Sequence, residues 1–184
     1  MNKINLFFKL SYKRTLIISG LLTIIIFLTL GYFDKSLITE TVPSGIISFE
    51  LAKTFEQSHA MLSSWDLNAK INAGLSLGID FLFLIVYSIF FATACYLVSQ
   101  KYINKNNWIY KTGILLAKLQ FIAALFDTIE NIALIKLLLG SNNSIFPIIA
   151  YYFASIKFMI IAIGIIYIII GLLTSLFQKE LESE

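Results

Sequence analysis

Four stretches of the chain stay apolar for long enough to cross a ~30 Å hydrocarbon layer, which takes about 20 helical residues. They run over about 15–33, 78–98, 113–139 and 145–177. The first contains no charged residue and follows Lys3, Lys9, Lys13 and Arg14, which predicts a cytoplasmic N-terminus. A cleaved signal would carry a shorter apolar region and a better cleavage site than Thr29-Leu30-Gly31, so the stretch reads as a retained anchor. The loop near 100–111 holds Lys101, Lys105 and Lys111 and no acid, which places it on the same side. The fourth stretch has Lys157 as its only charge and is ~50 Å long as a straight helix, so it must tilt or project. The expected fold is an all-α membrane protein: a four-transmembrane-helix bundle, both termini cytoplasmic, forming a single domain over 1–184.

The external segment, 34–77, is long for a connector. Pro43-Ser44-Gly45 predicts a turn, after which Ile47, Leu51, Phe55 and Leu62 recur at helical spacing. Glu50, Lys53, Glu56 and His59 supply the polar positions of this extracytoplasmic amphipathic helix. Asp66 or Asn68 is the expected N-cap of the next helix. Trp108 and Tyr110 are expected at the cytoplasmic boundary, with Tyr32, Trp65, Tyr151 and Tyr152 at the outer one.

Composition agrees with the pattern. Hydrophobic residues make up 58% of the 184 residues and charged ones 14%, against roughly 45–50% and 25% in soluble domains. An ordinary soluble enzyme and a disordered chain are both excluded. The +3 net charge is arranged as a topology signal, so nucleic acid is not an expected partner. Membrane lipids are, together with a homo-oligomeric or other membrane partner. The abundance of Ile, Lys and Asn points to an AT-rich bacterial genome and hence to a bacterial inner membrane. Cys95 has no second cysteine to pair with, and His59 is the only histidine, so disulfide and multi-His metal chemistry are excluded.

The informative residues are the ionisable ones inside the spans. An ionised group at the centre of a membrane helix costs about 2.5–3.5 kcal/mol on insertion scales. Lys118 and Lys136 lie ~27 Å apart along a helix and each can reach its nearest interface. Asp127 falls midway between them, with Glu130 and Asn131 on the same side at i+3 and i+4. Gly113, Ala117, Gln120 and Ala124 continue that stripe, a pattern that faces protein. Ala150, Ala154, Lys157, Gly164 and Gly171 form a matching stripe on span four, and Asp80, Ser88, Ala92, Cys95 and Ser99 one on span two.

Three acids and one lysine are therefore expected to meet in the outer half of the bundle. The candidate binding residues are Asp127, Glu130, Asn131, Lys157, Asp80 and Gln120, with His59 and Glu56 as weaker candidates and no metal site. Such a site suits a cation, a proton or a lipid head group. Other readings of the same residues are a small proton- or cation-coupled transporter acting as a homodimer, an assembly subunit of a membrane complex, and an intramembrane lipid-modifying enzyme. A purely structural ion pair that sets helix register is a further one. No nucleophile elbow, P-loop or HExxH motif points to a particular reaction or cofactor.

Overall fold

The computed structural model describes residues 3–104 and 106–181, with side chains described for 11–104 and 106–175. Six helices and a short 3-10 turn follow one another, and the described residues contain no strand. The helices are α1 (Lys3–Asp34), α2 (Ile46–Glu50), α3 (Phe55–Ser64), α4 (Leu67–Gln100), α5 (Asn107–Leu138) and α6 (Ile145–Leu181), with the turn at Lys35–Leu37. Three stretches are long and apolar enough to cross a membrane: Ser11–Leu37, Leu67–Gln100 and Ile145–Ser175. α5 is as long as α1 but carries Lys111, Lys118, Asp127, Glu130 and Lys136 along its course.

Short polar side chains set where the long helices begin. Asp66 Oδ1 accepts from the Ala69 amide at 2.7 Å and starts α4. Asn106 Oδ1 accepts from Trp108 and Ile109 and starts α5, and Asn143 does the same for Ile145 of α6. Pro147 sits in the first turn of α6, where its missing amide hydrogen costs no helical bond. Gly140, two residues beyond the end of α5, has a φ of 87° that suits glycine, and the amides of Gly140 and Ser141 take up the carbonyls of Leu137 and Lys136.

α4, α5 and α6 form the centre of the molecule, and α1 packs mainly on α4. The α6 stripe is buried throughout: Ala150, Ala154, Lys157, Gly164 and Gly171 all face the other helices. Toward the cytoplasmic end expected from the sequence, small residues let neighbours come close. A Cβ on Gly113 would lie 2.1 Å from Tyr167 Oη, one on Gly164 2.5 Å from Gln120 Nε2, and one on Gly171 2.4 Å from Val98 Cγ1. Tyr102 crosses from the end of α4 to donate its hydroxyl to the Gly171 carbonyl at 2.7 Å.

Between α1 and α4 the structure departs from the expected single amphipathic helix. The segment makes two helices, because Thr54 and Gln57 form a reciprocal capping box that starts a new one. The buried side also differs. Phe49 and Glu50 turn inward, while Ile47 and Leu51 remain exposed. Trp65, expected at the membrane boundary, is buried instead: its indole donates to the Leu37 carbonyl at 2.8 Å and its ring meets Phe49 edge-on at 5.2 Å. Together with Leu37, Val42, Leu77, Leu134 and Ala150 these residues form an apolar core that seats the segment across one end of the bundle. Tyr32 and Trp108, by contrast, are exposed.

Candidate functional site

At the level where the segment meets the bundle, α6 presents Lys157, 4% exposed. Its ammonium lies 2.7 Å from Asp127 Oδ1, 2.8 Å from Glu130 Oε2 and 3.8 Å from Glu50 Oε2. The i+3 spacing on α5 is what aims Asp127 and Glu130 the same way. All three carboxylates are buried. Asp127 is fully supplied with donors, because Lys157 gives to one oxygen and the Tyr87 hydroxyl to the other at 2.9 Å.

Glu130 is not. Its Oε2 is at ion-pair distance from Lys157 but outside hydrogen-bond geometry, and Oε1 has no donor either. Glu50 Oε2 and Asn131 Oδ1 are likewise buried acceptors without a donor. Asn131 uses its amide hydrogens elsewhere, donating to Asp80 Oδ2 at 2.6 Å. Asp80 therefore joins the cluster through Asn131 and is half-buried. With three ionised carboxylates around one ammonium, the inner set would carry a surplus of two negative charges away from water. Burial pushes the Glu50 carboxyl up to about 7, against the pull of Lys157.

The remaining sequence candidates lie elsewhere. Gln120 is fully buried beside Gly164 and Cys95, and neither end of its amide is hydrogen-bonded. It sits about two turns from Asp127 on the same face of α5. His59 and Glu56 are exposed on α3, outside the cluster. The Glu56 backbone amide and the Thr54 hydroxyl hold the Glu56 carboxyl below its ordinary range, as for a solvated surface acid.

Two members of the cluster were not among the sequence candidates. Tyr87 follows Asp80 by seven residues, two turns along the same face of α4, so its place was readable from the helical period. Glu50 had no such signal, since its neighbours in sequence read as a solvated helix. The segment carrying it is tied to α6 twice, by Glu50 to Lys157 and by Lys53 over the rings of Tyr151 and Tyr152 at 5.3 and 5.6 Å.

Among the described residues no group of three or more His, Cys, Asp or Glu is arranged to hold a metal ion. The chemistry available is that of carboxyl groups exchanging protons beside a fixed ammonium. Compared with protein-family models, with curated proteins and with solved structures, the chain shows no significant match.

Proposed function

We propose that the chain is a four-span membrane protein, both termini cytoplasmic, whose Lys157 cluster binds and releases protons at its outer end. One observation carries this reading: the cluster gathers more carboxylates than cations and leaves buried acceptor oxygens on Glu50 and Glu130 without donors. Bound protons supply both missing things, donors for the oxygens and neutralisation of the surplus charge. Glu50 is the natural point of exchange, because it belongs to the short external segment and not to a long helix.

The fourth span is α5, whose acids face protein and whose Lys118 and Lys136 are exposed on either side of those acids. The orientation rests on Lys13, Arg14, Lys101 and Lys111 at one end of the bundle. The close glycine contacts of the opposite half support a site open to one face over a path through the protein.

Infrared difference spectroscopy of the full chain in lipid, titrated from about pH 5 to 9, tests this. A protonated-carboxyl band that fades near neutral pH is expected, and Glu50→Gln should remove its pH dependence in that range. A spectrum with no protonated carboxyl at any pH would leave the cluster a permanently charged structural lock and overturn the reading.

A further inference from the structure

We infer that two grooves beside α1 hold anionic phospholipid, with Arg14 and Lys118 taking the phosphodiester head groups. α1 is the least embedded of the three membrane-length helices: 11% of its most apolar stretch is buried, against 44% for α4. It packs on α4 at places such as Gly20 against Phe90, and beside those contacts open grooves remain.

The first groove, of about 380 Å3, runs between α1 and α4 from Ser11 to Leu22, with Val86 and Ile89 as its far wall. Eleven helical steps cover ~16 Å, about one leaflet of a ~30 Å hydrocarbon layer. Arg14 stands near its N-terminal end. The Thr15 and Ser19 hydroxyls along it are already used, since Thr15 donates to the Ser11 carbonyl and Ser19 to that of Thr15. The guanidinium is the one charged group that lines it.

The second groove, of about 370 Å3, lies between α4 and α5 beside Tyr12 of α1. Ala92, Tyr96 and Phe121 line it, and Lys118 is its one cation. No acid lines either groove, and neither Arg14 nor Lys118 forms an ion pair among the described residues. A mainly apolar channel with one fixed cation is complementary to an acyl chain carrying an anionic head group. Both cations stand toward the end of the bundle where α1 starts and α4 finishes, so both head groups belong to the same leaflet.

Native mass spectrometry of the full chain, purified in detergent and supplied with phosphatidylglycerol or phosphatidylcholine of equal chain length, tests the assignment. Up to two phosphatidylglycerol molecules per chain should be retained under conditions that strip phosphatidylcholine. Arg14→Gln and Lys118→Gln should each remove one site and weaken retention about five-fold, the loss expected for one basic residue beside an anionic lipid. Lys101→Gln, which changes a basic residue at the same end outside both grooves, should leave retention unchanged. Equal retention of the two lipids, or phosphatidylglycerol retention that survives both substitutions, would overturn the inference. The readout does not involve the Lys157 cluster, so it stands or falls apart from the proton-binding reading.

Discussion

At one end of the bundle α4, α5 and α6 meet around an ammonium and its carboxylates; at the other they meet through glycines. Both ends bring backbones together, yet they ask different things of the sequence. The glycine contacts need only shape, since Gly113, Gly164 and Gly171 make room for Tyr167, Gln120 and Val98. The charged contact needs matched partners from four separate elements, because an unmatched group in that place has no water to turn to. Shape tolerates small adjustments. Charge does not, and that is why the two ends should fail differently when altered.

The largest effect is expected from Lys157→Met, which removes the only cation of the cluster and leaves Asp127 and Glu130 without a counter-charge. A loss of about 3–5 kcal/mol is expected, measured as the midpoint of unfolding in detergent. Adding Asp127→Asn to that variant should recover part of the loss, whereas a purely steric role for Lys157 predicts no recovery.

Glu50→Gln should act in a pH-dependent way. The folded chain holds this proton up to about pH 7, while the unfolded chain releases it near its ordinary value of 4.5. Stability from this group therefore falls as pH rises between those two values and is level above them. The variant should match the parent below pH 4.5 and exceed it above pH 7, by up to about 3 kcal/mol. A variant less stable than the parent at pH 8 would show that the Lys157 contact outweighs the burial of the charge.

At the opposite end Gly164→Ala should cost about 1–3 kcal/mol through overpacking against the Gln120 amide. Gln120→Ala in the same chain should relieve most of that cost, and a double-mutant cycle on thermal midpoints measures it. The smallest effect is expected from Tyr102→Phe, which loses the hydroxyl bond to the Gly171 carbonyl, worth about 0.5–1.5 kcal/mol. Full additivity of this change with Lys157→Met would confirm that the two ends are energetically separate.

Periodicity made much of this architecture legible. The apolar runs gave the long helices, the start of α4 was narrowed to Asp66 or Asn68 and falls at Asp66, and the three-, four- and seven-residue steps of α6 gave the face that is buried. The meeting of Asp127, Glu130 and Lys157 followed from two such faces. The external segment was harder because its contacts are all distant in sequence. Trp65 is buried by an acceptor 28 residues before it, and Glu50 by a lysine more than a hundred residues after it. Nothing local distinguishes a tryptophan at a lipid boundary from one under a folded cap, or a solvated glutamate from a buried one. Gln120 was legible as a buried polar residue but not as one without partners, since hydrogen-bond geometry has no periodic signature.

Where Lys157 stands in the chain has a consequence for biosynthesis. Chains are made N-terminus first, so Glu50, Asp80, Asp127 and Glu130 all leave the ribosome before the cation they surround. A nascent chain that stops short of α6 holds these acids with no lysine to meet them. α5, which carries two of those acids, is thus made as an incomplete partner and is completed only when α6 arrives. Chains truncated before Lys157 should accordingly be cleared by membrane quality control faster than chains truncated just beyond α6.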